Sequence, residues 1–159
     1  MIFVTVGSQR FQFDRLLRTI DEQIASGRIK SEVFAQIGFS TYRPKNYAYA
    51  DFLDRDVFEA KVREAEIVIT HGGTGAIVGT IKKGKKVIAV PRLGRYGEHV
   101  DDHQLQIIGQ FGELKMIRAC YDLDRLPEEI EEAKRTEFVP YVSNTQNFLE
   151  HIREYIENL

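Results

Sequence analysis

AEIVITHGGTGAIVGTIKKGKKVIAVPR, residues 65–92, is the stretch that decides the fold. Glu66 to Thr70 (EIVIT) is a continuous, β-branched run of the kind found in strands covered on both faces. It leads directly into HGGTGAIVGTIKKG, a glycine-rich turn feeding a short helix that should stop near Gly84. Lys86 to Val90 (KVIAV) reads as another buried strand, closed by Pro91.

The same alternation extends in both directions. Ile2 to Val6 reads as a first strand ended by Gly7 and Ser8. Phe13 to Ser26 carries Phe13, Leu16, Leu17, Ile20 and Ile24 at helical spacing, with Gly27 as its stop. Val33 to Ile37 and Tyr47 to Leu53 read as strands, and Asp54 or Asp56 caps the next helix. Beyond Pro91 the pattern predicts a helix over Asp101 to Phe111 and a short strand over Leu114 to Ile117. A terminal amphipathic helix is expected over about 144–158, with Ser143 and Gln146 forming a capping box. The expectation is one α/β domain over residues 1–159, a Rossmann-like parallel sheet with helices on both faces. In such sheets ligands bind at the carboxyl ends of strands, where Gly7–Ser8, His71–Gly75 and Pro91–His103 should converge.

Composition narrows the function classes. The chain is 43% apolar and 29% charged, which suits an ordinary globular domain. A net charge of -2 gives no global attraction to nucleic acid or anionic lipid. Tyr121 to Glu137 is net acidic, and Lys82 to Lys86 is a short basic cluster of the kind found at solvated helix ends. The single cysteine, Cys120, can form no internal disulfide, so a cytoplasmic location is expected. The start, MIFVTVGSQ, reads as a strand rather than a signal peptide. No apolar run approaches the roughly 20 residues of a membrane span, so membrane association would be peripheral.

The glycine-rich turn is the strongest chemical signal. Gly72, Gly73 and Gly75 allow close backbone approach, and the following helix directs free N–H groups toward a phosphate. A tight turn built for packing would use the same residues. The Gly-x-x-x-x-Gly-Lys-Ser/Thr phosphate loop is absent, and Val78 stands where a dinucleotide fingerprint needs glycine. Gly7-Ser8-Gln9 lacks the second glycine of a serine-hydrolase elbow. PRLGRYGEHVDDHQ, residues 91–104, concentrates Arg92, Glu98, His99, Asp102, His103 and Gln104 past a buried strand. Arginine suits phosphate, and the neutral and acidic groups suit sugar hydroxyls. His99 and His103, four apart, would share a helix face, but they lack the His-Glu-x-x-His order and a full ligand set, so no metal site is expected.

Taken together, VTVGSQ, AQIG, AEIVITHGGTGAI, KKVIAVPR and EHVDDHQLQ resemble the donor-binding domain of MurG-type glycosyltransferases over Met1 to about Phe111. The similarity is greater to the small soluble subunits of split enzymes of that type. These include the dolichol-pathway N-acetylglucosaminyltransferase and the PssE-like subunits of capsule and exopolysaccharide synthesis. The resemblance implies half of a GT-B fold. It places Gly7 and Ser8 near the donor diphosphate, Phe52 and Leu53 against uracil, and His71, Gly72, Gly73, Thr74, Gly75 and Ala76 over the diphosphate and ribose. His103 and Gln104 match the pair that touches donor-sugar hydroxyls, with Glu98 and His99 just before them. One departure is plain: Gly79, followed by Thr80, stands where the family commonly has a ribose-binding acid.

The resemblance further implies an inverting, metal-independent transfer from a UDP-sugar, with no cofactor, in capsular or exopolysaccharide synthesis. The acceptor would be a lipid-linked saccharide, held by a membrane-associated partner subunit that brings the chain to the inner face of the plasma membrane. Arg92 is expected to stabilise the departing diphosphate, and the catalytic base is unassigned, with His71 the only local candidate. The alternative is a non-catalytic enhancer subunit. No nucleic acid partner is expected.

Overall fold

A computed structural model describes residues 1–140. The expected C-terminal helix lies outside the described residues. Six strands form one all-parallel sheet: β1 (Ile2–Thr5), β2 (Val33–Gln36), β3 (Ala48–Ala50), β4 (Ile67–His71), β5 (Lys86–Val90) and β6 (Arg118–Ala119). Five helices connect and flank them: α1 (Asp14–Ala25), α2 (Arg55–Glu64), α3 (Thr74–Ile81), α4 (His103–Glu113) and α5 (Leu126–Arg135). The spatial order is β3-β2-β1-β4-β5-β6. The chain therefore winds outward from β1 to β3, returns to lay β4 beside β1, and winds outward the other way. This is the doubly wound Rossmann arrangement, and its switch point lies between β1 and β4.

Side-chain alternation explains why both faces must be covered. Ile2, Val4, Ile67, Ile69, Ile88 and Val90 share one core with Leu16, Leu17 and Ile20 of α1 and Ile130 and Ala133 of α5. Phe3 and Val68 project to the other face, where they meet Val62 and Phe58 of α2. Val87 and Ala89 meet Ile77 and Ile81 of α3 and Ile108 and Phe111 of α4. The central residues Val4, Val68 and Ile88 are fully buried, which is why their strands read as continuous apolar runs.

Three expectations are corrected. The strand expected over Leu114–Ile117 is β6, at Arg118–Ala119. Leu114 caps α4, Lys115 takes a left-handed turn (φ 59°), and Met116 and Ile117 fill the α3/α4 core before any strand begins. The acidic tract holds an unforeseen helix, α5, with Pro127 in its first turn, Glu128 and Glu129 beside the positive dipole end, and Lys134 and Arg135 at the other. His99 and His103 do not share a helix face, because α4 starts at His103 and His99 lies in the preceding loop. Among the described residues no helix is long and apolar enough to cross a membrane.

Candidate functional site

The carboxyl ends of β1 and β4 adjoin at the switch point, and two glycine turns open there. After β1, Gly7 takes φ 78°, a left-handed conformation that side chains resist. After β4, the turn at Gly72 and Gly73 leads into α3. A Cβ on Gly72 would sit 2.8 Å from Gln104 Cβ and 2.9 Å from Ile108 Cδ1, and one on Gly73 would sit 2.4 Å from His71 Cε1. Both glycines are therefore demanded by packing. Gly75 is different: a Cβ there meets nothing within 4 Å, so its place in the turn leaves open space over the helix start.

That helix start is rich in donors. The N–H groups of Thr74, Gly75 and Ala76 have no acceptor within α3, whose first bond runs from Ile77 N–H to the Gly73 carbonyl. The free donors and the helix dipole together favour an anion. His71, the last residue of β4, is 6% exposed, and its Nε2 lies 2.6 Å from where a Gly7 Cβ would stand. Its Nδ1 accepts from the Gly73 N–H at 3.1 Å and lies 3.3 Å from Gln104 Nε2. Burial first, then the charges of Arg92 and His99, push the His71 pKa down to about 3, so the ring is neutral at physiological pH.

Three of the expected ligand residues are turned inward. Arg92 is fully buried; Nη1 donates to the carbonyls of Phe11, Gln12 and Glu98, and Nη2 donates to that of Val6. Its guanidinium ties the β1–α1 loop to the loop after β5, instead of reaching toward a diphosphate. Burial lowers its pKa to about 10, still far above neutrality. Glu98 is also fully buried. It takes a two-point ion pair from Arg15 (2.9 and 3.0 Å) and the Leu93 N–H at 3.0 Å, leaving it no face for a sugar.

Gln104, 3% exposed, accepts the N–H groups of Gly72 and Arg92 through Oε1, both at 2.9 Å. It brackets the glycine-rich turn to the end of β5. All three are engaged by the protein itself: Arg92 and Gln104 bond backbone carbonyls and amides, and Glu98 bonds Arg15 and the Leu93 N–H. Thr80, which follows Gly79, is buried and donates its hydroxyl to the Ala76 carbonyl at 2.8 Å. A Cβ at Gly79 meets nothing within 4 Å.

The remaining residues line the rim. Ser8 is exposed at the β1 turn. Asp102 Oδ1 accepts from the Gly94 N–H at 2.8 Å, and His103, about half exposed, starts α4. His99 and His103 both approach Asp101, with Nδ1–oxygen distances of 3.2 and 3.5 Å. Among the described residues no group of three or more His, Cys, Asp or Glu side chains is placed to hold a metal ion. At the β3 end, the Leu53 N–H donates to Gln36 Oε1 at 2.9 Å, and the half-exposed Phe52 ring meets Phe39 edge-on at 5.2 Å.

Gln36, Phe39 and Arg15, which the sequence did not single out, hold Leu53, Phe52 and Glu98 in place. A polar residue ending a buried strand, as in AQIG, was the available sign for Gln36. A separate hollow of about 480 Å³ lies by the start of β5, lined by Ile81, Lys85, Lys86, Met116 and Phe138, away from this constellation. Cys120 is buried beneath the sheet, its pKa raised to about 12 by burial, which leaves it an inert thiol.

Known proteins place the chain in context. It is 29% identical over 118 residues to the human UDP-N-acetylglucosamine transferase subunit ALG13, which covers 69% of this chain but only 10% of that protein. The solution structure of ALG13 superposes with a TM-score of 0.63 at 19% identity, covering 98% of this chain and 96% of the other. Acinetobacter baumannii MurG superposes with a TM-score of 0.55 at 16% identity, covering 95% of this chain and 49% of MurG. The fold is thus that of one half of a GT-B enzyme. The glycosyltransferase family 28 C-terminal domain matches residues 1–159, and the chain belongs to that family.

Proposed function

We propose that the chain is the donor-binding half of a two-subunit, UDP-sugar-dependent inverting glycosyltransferase. The observation that carries this reading is the convergence at the β1/β4 switch point. His71 Nε2 lies against the turn at Gly7, and the Gly73 turn that packs on the same ring opens α3 with the unbonded N–H groups of Thr74, Gly75 and Ala76, a set that suits a diphosphate. Uracil would lie against the backbone at Phe52 and Leu53. The sugar would lie toward Asp102 and His103, with His99 behind them.

In the proposed reaction an acceptor hydroxyl attacks the anomeric carbon as the bond to the UDP oxygen breaks, with inversion. The hydroxyl proton passes to a base on the other subunit, and UDP leaves with its negative charge held by the N–H donors. No cofactor is required. The acceptor half would come from a membrane-associated partner that also holds the chain at the cytoplasmic membrane face. A lipid-linked saccharide acceptor in capsular or exopolysaccharide synthesis suits that arrangement. The likeness to ALG13, which is named as a subunit of a UDP-N-acetylglucosamine transferase, supports the two-subunit form.

A second reading, a non-catalytic enhancer subunit, is favoured by one observation. Gly79 offers no side chain, and Thr80 is buried with its hydroxyl proton given to the Ala76 carbonyl, so neither replaces the acid that the resemblance leads one to expect. Transfer from labelled UDP-sugars to lipid extract separates the two. The chain with source membranes should transfer sugar, and a variant with Gly75→Glu at the open helix start should not. Equal transfer by both would favour the enhancer; full transfer by the lone chain would overturn the two-subunit form.

A further inference from the structure

We propose that Gln104 is a positioning residue that, with the Gly73 amide, fixes His71 in its Nε2-protonated tautomer, making the imidazole a neutral donor toward the ligand and not a base. This rests on the donor-site reading only for the identity of the ligand.

The bonding pattern of Gln104 decides its orientation. Two backbone N–H groups, from Gly72 and Arg92, both point at one atom of the amide at 2.9 Å. Only the oxygen can accept from both, so the NH₂ group must be the end that faces His71 Nδ1 at 3.3 Å. The Gly73 N–H addresses the same Nδ1 at 3.1 Å. With two donors aimed at it, Nδ1 must keep its lone pair, and the proton of the neutral ring sits on Nε2. That nitrogen faces the Gly7 turn and makes no hydrogen bond to the described residues.

The arrangement is the reverse of the one that makes histidine a base. A carboxylate on Nδ1 would raise the ring's basicity and stabilise the imidazolium. Here an amide donor occupies that position, and the charged and titratable groups facing the ring are Arg92 and His99, both of which oppose a positive ring. Desolvation acts in the same direction. A ring held in this way can hydrogen-bond a phosphate oxygen without changing protonation through a reaction cycle. The assignment also gives the inward turn of Gln104 a purpose beyond closing the glycine-rich turn.

The test is a two-bond ¹H–¹⁵N correlation spectrum of the full chain labelled at histidine, recorded from pH 5.5 to 8.5 with and without UDP. In the unmodified chain His71 should show the Nε2–H pattern throughout, with no titration. In Gln104→Glu a carboxylate oxygen replaces the amide donor beside Nδ1, leaving the Gly73 N–H as its donor, so His71 should begin to protonate at the acid end of the range and UDP affinity should become pH-dependent. An Nδ1–H pattern or a titrating His71 in the unmodified chain would overturn the assignment, and that spectrum does not depend on the variant folding. An unchanged His71 in folded Gln104→Glu would overturn the role of Gln104. If the tautomer is as assigned but saturating UDP leaves the Nε2 resonance in place, the tautomer lock stands and the donor-site reading falls.

Discussion

The Nε2 of His71 lies 2.6 Å from the position a Cβ on Gly7 would occupy, so the end of β1 and the end of β4 are fitted to each other around a missing side chain. Gly7→Ala would add both a clash with a buried ring and a left-handed alanine at φ 78°. We expect a loss of about 1–3 kcal/mol in urea unfolding and loss of UDP binding by calorimetry. A variant as stable as the parent that still binds UDP would show that this contact does not matter.

Glu98 carries the second expectation. It is fully buried between Arg15 and the Leu93 N–H, with Arg92 nearby. Glu98→Ala leaves Arg15 and the Leu93 N–H without their acceptor and removes the carboxylate beside the buried Arg92, and should cost about 3–5 kcal/mol. Arg15→Ala should cost a similar amount, because it leaves the buried Glu98 carboxylate without its ion pair, whereas in Glu98→Ala water can reach the 25% exposed Arg15. Chemical denaturation of both variants measures the losses, and a near-neutral Arg15→Ala would contradict the burial of Glu98.

Acid should destabilise the protein through His71. Its folded pKa is about 3, below the ordinary value of 6.5, so between those limits the unfolded chain binds a proton the folded chain does not. Stability from this group is full above about pH 6.5 and falls as pH drops toward 3, by at most about 1.4 kcal/mol per pH unit. His71→Gln should flatten that slope in melting experiments across pH 4–7.

Gly79 permits a gain-of-function test. Open space surrounds its Cβ position, so Gly79→Glu should fit, and replacing a helical glycine should add about 0.5–1 kcal/mol of stability. If the helix faces a ribose, the new carboxylate should tighten UDP binding roughly tenfold, equivalent to about 1.4 kcal/mol. Unchanged affinity in the stabilised variant would place the ribose elsewhere.

The sequence made the scaffold legible where covering both faces of a strand left a mark. EIVIT and KVIAV became β4 and β5, because residues such as Val68 and Ile88 have no solvent side to record. The glycine turns were legible for a similar reason, since Gly7 and Gly73 have no room for a side chain. Helix α5 was hidden because Leu126, Ile130 and Ala133 are few among glutamates, although Pro127 and the charge order along the helix were visible signs. The inward turn of Arg92, Glu98 and Gln104 was not legible. Sequence placed them at the right end of the sheet, but whether a polar side chain meets ligand or backbone depends on carbonyls and amides contributed by distant loops.

Amide chemical-shift mapping with UDP tests the central claim most directly. Titrating UDP into the ¹⁵N-labelled chain should give saturable shifts concentrated at Gly7, Ser8, Gly72 to Ala76 and the segment at Phe52 and Leu53. Absence of shifts at saturating UDP, or shifts confined to residues away from the β1/β4 switch point, would contradict the assignment of this constellation as a nucleotide-sugar site.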